Sequence, residues 1–502
     1  MNLARLFTDT AATRPDHIAL RLNEQTISYQ QLAEASERVA GLLVANGVTP
    51  GDRVAVMLPN VPEFALVYYG VLRVGAVVVP MNPLLKAREI AYYLSDSQAR
   101  VVFASPAAAD EVVKALPEDV GTSTIVVEPD SFAKLLSDQD RVDTVVDRAA
   151  EDTAVVLYTS GTTGQPKGAE LTHANLVSNA EVTQSDLVQL TGDDLVFGGL
   201  PLFHSFGQTC TLNVSMAAGA TLLLLPRFNA AAAAELSATY GVTVFAGVPT
   251  MYAALVGLEE APRLPDLRTC ISGGAALPVE VLHRFEEKFG CEVLEGYGLS
   301  ETSPVASFNR SGPNRRPGSI GYPVTGVPMQ VLAKDGTPVT NGDVGEISIR
   351  GHNVMKGYWH KPEATADVLD REGWFRTGDM GRVDEDGFYF IVDRMKDLII
   401  RGGFNIYPRE IEEVLYEHPD VAAAAVVGIP HVELGEEVGA AVALRPGATV
   451  SEAELRDFVK AQVAAYKYPR RVWFVDALPL GPTGKVLKRE IVPPVTIEET
   501  TR

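Results

Sequence analysis

Short β-branched runs alternate with helix-like segments over the first 150 residues, among them Val54–Leu58, Val77–Val79 and Val101–Ala104. Runs this short, separated by helical patterns, predict an α/β sandwich with parallel strands. Thr221–Leu225, Val242–Ala246 and Thr269–Ser272 repeat the pattern, so a second α/β unit is expected. Between the two, Ser105–Ala150 carries acidic residues and a weak periodicity, which predicts peripheral helices and loops without chemistry. From Ser319 to Phe390, frequent glycines and short runs such as Gly345–Arg350 predict a small β-rich layer. After Asp393 the pattern changes again, to a strand at Val421–Ile429 and a helix opened by Ser451 with Glu454 three residues on, the spacing of a capping box. The predicted fold is therefore α/β. A large N-terminal domain of α/β sandwich subdomains and a β-rich layer (1–393) precedes a small, mobile α+β C-terminal domain (394–502).

Composition narrows the function. With 502 residues, 46% hydrophobic and 21% charged, the chain reads as folded throughout. A net charge of -21 opposes a general role on nucleic acid, whose phosphates reward clustered Lys and Arg. Cys210, Cys270 and Cys291 show no CxxC spacing and supply no disulfide framework; they read as packing thiols of a protein in a reducing cytoplasm. The N-terminus lacks the basic start and apolar stretch of a signal peptide. The most apolar windows, 65–81 and 217–225, are interrupted by Arg73 or too short for the ~20 residues of a spanning helix, so a soluble protein is expected.

The chemistry concentrates first at Tyr158–Gly168, YTSGTTGQPKG. A strand-like run from Thr153 enters this loop, and Thr172 is placed to cap a following helix, so the expected layout is strand, glycine loop, helix. Glycine backbone N–H groups, four Ser/Thr hydroxyls and Lys167 offer donors to a polyphosphate without bulky obstruction. The segment is not a GxxxxGK[ST] loop, since Gly168 follows the lysine.

This segment resembles the signature of the adenylate-forming superfamily, which includes acyl-CoA synthetases, aryl-CoA ligases, peptide-synthetase adenylation domains and firefly luciferase. The resemblance continues in order through LPLFHSFG (200–207), SGGA (272–275), EGYGLSET (295–302), GWFRTGD (373–379), DRMKDLIIRGGFNIYPREIE (393–412) and PTGKVLKRE (482–490), covering essentially the whole chain. It implies an ATP-dependent acid–CoA ligase that makes an acyl-adenylate and pyrophosphate, then acyl-CoA and AMP. By the same resemblance Thr159, Ser160, Gly161, Thr162, Thr163, Gly164 and Lys167 hold the β- and γ-phosphates, and Tyr297 lies on the adenine. Gly273, Gly274, Ala275, Gly296 and Gly298 complete the nucleotide site. Glu301 binds Mg2+, Thr302 contacts the α-phosphate, and Asp379 and Arg394 take the ribose. Lys485 bridges the substrate carboxylate and the α-phosphate. Lys396 is the implied hinge, and Gly402, Gly403 and Phe404 flank the coenzyme A channel. His204 is the implied gate of an acyl pocket formed with Ser205, Phe206, Val248, Gly296 and Val305.

These assignments agree with the chemistry. Carboxylate attack on the α-phosphorus places negative charge on the phosphoryl group and departing pyrophosphate, so the protein's task is positioning plus cations and donors where that charge develops. Phe203, His204, Ser205 and Phe206 offer no anion for a substrate ammonium, which disfavours an amino acid. Malonate-type relatives carry an arginine immediately before the adenine-stacking tyrosine, where this chain has Gly296. A medium- to long-chain fatty acid is the expected substrate, with cinnamate-type aryl acids as the alternative. Transfer to an acyl carrier protein instead of coenzyme A is a further alternative, although relatives of that kind carry an inserted segment that Ser319–Asp393 lacks.

Overall fold

The computed structural model describes residues 1–116, 121–159, 165–313 and 315–494. Its strands form four sheets. A seven-stranded sheet runs Gly357–Tyr358, Lys167–Thr172, Thr153–Thr159, Val77–Pro80, Arg53–Met57, Val101–Ala104 and Ser123–Val126, parallel in its last five strands. A nine-stranded sheet follows the same logic around parallel strands Leu195–Gly198, Thr221–Leu224, Val244–Gly247, Thr269–Ser272 and Val293–Gly298.

The uninterrupted apolar runs follow from burial on both faces of the sheet. Val54, Val56 and Val78 point into one continuous core shared with Leu222, Phe245 and Ile271 of the nine-stranded sheet. Their neighbours Ala55, Met57, Val77 and Val79 face the other way, against helices Ala87–Ser97 and Pro106–Ala115 through Ile90, Leu94, Ala108 and Val112. Helix Pro62–Arg73 is apolar nearly all round and is correspondingly buried, with Arg73 paired to Glu37 at 3.4 Å.

The β-rich layer is a four-stranded antiparallel sheet, Met329–Leu332, Gly345–Ile349, Phe375–Val383 and Tyr389–Arg394. Arg394 is its last residue. Beyond it, Ile399, Ile406, Ile411, Leu415, Val426 and Val442 build a separate core under a five-stranded sheet. Ser451 and Glu454 form the expected capping box, the hydroxyl accepting from the Glu454 N–H and the carboxylate from the Ser451 N–H. Among the described residues no helix is long and apolar enough to cross a membrane. All three cysteines are free and buried, with the sulfurs of Cys270 and Cys291 3.5 Å apart.

Two expectations need correction. The glycine loop does not lead into a helix: Lys167–Thr172 is a strand antiparallel to Thr153–Thr159, and only then does Thr172 cap helix His173–Val182. The alternation of KGAELT had the period of a strand, and pairing Thr159 with Lys167 across the hairpin satisfies the backbone that a helix would otherwise have used. The weak stretch 105–150 also contains Ser123–Val126, an edge strand exposed enough to escape an apolar signature.

Candidate active site

The hairpin brings Thr159 and Lys167 opposite one another at its loop end. Ser160, Gly161, Thr162, Thr163 and Gly164 lie outside the described residues. Glu301, in a short turn after strand Val293–Gly298, receives the Thr159 hydroxyl at 3.2 Å and the Tyr358 hydroxyl at 3.0 Å, both on Oε1. Lys167 Nζ lies 5.1 Å from the centre of the Tyr358 ring. Glu301 Oε2 has no hydrogen-bond partner among the described residues, which leaves one carboxylate oxygen to meet a cation beside the Thr153–Thr172 hairpin. A single carboxylate plus substrate phosphates is the donor set magnesium prefers, so the residues fit that ion. Tyr358 went unnoticed in the sequence, since it reaches Glu301 only through a two-residue strand on the hairpin's outer edge.

Thr302 is fully buried. Its hydroxyl accepts the Leu299 N–H at 2.8 Å and lies 2.7 Å from the Pro304 carbonyl, so it holds the turn that carries Glu301 and offers no free donor.

The Tyr297 hydroxyl donates to Asp379 Oδ2 at 2.7 Å, and Arg394 Nε pairs with Oδ1 at 3.1 Å. Asp379 and Arg394 are register partners on neighbouring strands, so their meeting is set by the sheet. Burial, then the Asp379 charge, holds the Tyr297 phenol far above its usual range, so it stays protonated and can donate to Asp379. A carboxylate accepts about four hydrogen bonds, which leaves Asp379 capacity for a diol.

Lys485 reaches this group from the small domain. The Thr250 hydroxyl donates to the Gly484 carbonyl at 2.9 Å and seats the lysine's loop against the large domain. Burial and the Arg394 cation lower the Lys485 pKa to about 8, against the opposing pull of Asp379. His204, whose Nδ1 accepts the Phe206 N–H at 3.3 Å, is lowered to about 4 by burial and by Lys485, so the ring is neutral at pH 7. Thr250 was missed because nothing in its local sequence signals a partner more than 200 residues away.

Apolar side chains pack against Gly273, Gly274 and Gly296. The ring of Phe206 lies against Gly273, and Val248 against Gly274. A Cβ on Gly296 would sit 2.5 Å from the Phe308 ring, so a larger residue there requires that ring to shift. Val305 is buried, its carbonyl held by the Asn179 and Asn353 amides. Ser205, also buried, has its hydroxyl 3.4 Å from that of Ser300; Ala275 follows strand Thr269–Ser272, and Gly298 ends the strand that carries Tyr297.

Gly402 and Gly403 form the turn of hairpin Ile399–Ile406, with positive φ at both. This turn is held within the small domain: the Gly402 N–H bonds the Leu434 carbonyl, and Phe404 stacks on Tyr466 at 4.7 Å. Lys396 lies just past the four-stranded sheet and close enough to Lys485 to disfavour its charge.

Thr159 and Lys167 beside Glu301, and a buried Tyr297–Asp379–Arg394 group close to Lys485, are the kinds of groups expected in the class of enzymes that activate a carboxylic acid with a nucleoside triphosphate. Comparison with known proteins gives that class its family: residues 7–359 match the AMP-binding enzyme family and residues 410–485 its C-terminal domain, and the chain belongs to this family. It is 37% identical to the long-chain-fatty-acid–CoA ligase of Bacillus subtilis (strain 168), over 98% of this chain and 94% of that protein. It is equally 37% identical to a feruloyl-CoA synthase of an Amycolatopsis species, over 96% of each. The solved structure of ATP-bound MatB from Rhodopseudomonas palustris superposes with a TM-score of 0.91 at 36% identity, covering 97% of this chain and 98% of that one. The protein is an AMP-forming acid–CoA ligase, with ATP and coenzyme A as substrates.

Proposed function

We propose that the acid is a medium- to long-chain fatty acid, activated with Mg2+ held at Glu301. What supports this reading is the apolar packing near His204: Phe206 against Gly273, Val248 against Gly274 and Phe308 against Gly296, all buried together with Val305, and a neutral histidine beside Phe206. In such a site Thr159, Lys167 and residues 160–164 would hold the β- and γ-phosphates. Tyr297 would stack on adenine, and Asp379 with Arg394 would bind the ribose. Thr302 supports the site by fixing the Glu301 turn. Lys485 is the cation between carboxylate and α-phosphate. Pivoting at Lys396 would then exchange Lys485 for the Gly402–Phe404 turn beside the thiol of coenzyme A.

The test is a panel of acids supplied to the purified chain with ATP, magnesium and coenzyme A, with products identified by mass. Each buried methylene is worth ~0.8 kcal/mol, so kcat/KM should climb by about fourfold per carbon from hexanoate until the pocket is filled. Ferulate or benzoate turning over faster than dodecanoate would replace this reading with the aryl one. Acyl transfer to a phosphopantetheinylated carrier protein in preference to coenzyme A would contradict the assigned acceptor.

A further inference from the structure

Successive residues of a strand point to opposite faces, and at the loop end of the hairpin the two faces do different work. Thr159 turns toward Glu301. Tyr158, one residue earlier, turns the other way and donates its hydroxyl to Asp96 Oδ2 at 2.7 Å. Asp96 is in the last turn of helix Ala87–Ser97, where the helix dipole disfavours a carboxylate. It is nonetheless enclosed by partners: Lys361 Nζ at 3.3 Å on Oδ1, and the Trp359 indole N–H at 3.1 Å on its own carbonyl. One turn back on the same helix, the Tyr92 hydroxyl donates to the Pro166 carbonyl at 2.7 Å, while Tyr93 stacks on Tyr158 at 4.5 Å. The helix thus grips the chain on both sides of the loop, at Tyr158 before it and Pro166 after it.

We propose that helix Ala87–Ser97 is the positioning platform of the phosphate loop, with Asp96 and Tyr92 fixing the two strand ends from which the loop springs. The inference rests on reading Thr159–Lys167 as the binder of the β- and γ-phosphates. Neither residue touches the nucleotide; each acts by removing freedom from the loop's anchors. Loss of an anchor is therefore felt by a ligand with β- and γ-phosphates and not by one that lacks them.

The experiment is calorimetric titration of the full chain with ATP–magnesium and, separately, with AMP. Loss of a hydrogen bond to a charged group corresponds to roughly tenfold or more in an equilibrium constant. Asp96→Ala and Tyr158→Phe should accordingly weaken ATP by about tenfold and leave AMP within about twofold. Tyr92→Phe, which deletes one hydroxyl and nothing from a core, should change ATP affinity in the same selective way. ATP and AMP weakening in parallel, or neither changing, overturns the proposal. Lys167→Ala separates the two readings. If it weakens ATP selectively and the other three do not, the platform alone is wrong; if Lys167→Ala leaves ATP binding unchanged, the phosphate-loop reading falls and the platform with it.

Discussion

At the scale of single residues, the reaction depends on which groups carry charge at neutral pH. His204 is held neutral by burial and by Lys485, so under the proposed function it would offer shape and a hydrogen-bonding edge to the carboxylate end and no cation. The charge is left to Lys485, and its pKa of about 8 sits close to working pH because burial and Arg394 both oppose protonation. Its ammonium is fully present well below pH 8 and is lost as pH rises through that value. We therefore expect kcat/KM for adenylation, which reports groups of the free enzyme, to fall above about pH 8. Lys485→Arg keeps its charge across this range but not the compact geometry of an ammonium. That variant should be slower and should lose the alkaline limb; an unchanged limb would assign the titration elsewhere.

At the scale of elements, strand Val293–Gly298 carries an energetic cost as well as Tyr297. Its Glu295 is 2% exposed, accepts the Leu277 N–H at 3.1 Å on one oxygen, and has no partner on the other among the described residues. Burial raises its pKa to about 7 despite the nearby Arg409. The native chain therefore holds this proton in the window between the ordinary carboxylate pKa and about 7. The associated stability is complete below that window and is lost as pH rises through it. Glu295→Gln keeps the acceptor for Leu277 and has no charge to lose. Thermal unfolding should find the variant more stable than the parent at pH 8, by ~1–3 kcal/mol, and the gap should narrow at pH 5. A variant less stable at pH 8 would mean that the Arg409 charge holds Glu295 ionised.

The same scale shows what was legible beforehand. Double burial made strands such as Val101–Ala104 conspicuous, and local hydrogen bonding made the Thr172 and Ser451 caps readable. The antiparallel partner Lys167–Thr172 was not, because Lys167 and Gly168 read as the end of a loop. Tyr358, Thr250 and Asp96 were invisible for a different reason. Each acts through a tertiary contact between distant segments, and a lone Tyr, Thr or Asp carries no periodicity to flag it.

At the scale of the whole molecule, the small domain sits with Lys485 near Asp379 and Arg394, and polar contacts hold it there. Arg409 donates to the Ile391 carbonyl at 2.6 Å and the Gly318 carbonyl at 3.4 Å, while Glu413 accepts the Val279 N–H at 3.2 Å. The Gly402–Gly403 turn, about 80 residues before Lys485 in sequence, bonds within its own domain in this arrangement. Under the proposed function this arrangement serves carboxylate activation, with Lys485 acting in that half of the reaction. The direct measurement is acid-dependent ATP–pyrophosphate exchange in the absence of coenzyme A, set beside thioester formation from synthetic acyl-adenylate, for the parent and Lys485→Ala. Exchange in the variant should fall by on the order of 10²–10³, as for removal of one preorganised donor, while thioester formation persists. Exchange that survives the substitution, or equal loss of both half-reactions in a folded protein, would contradict the account.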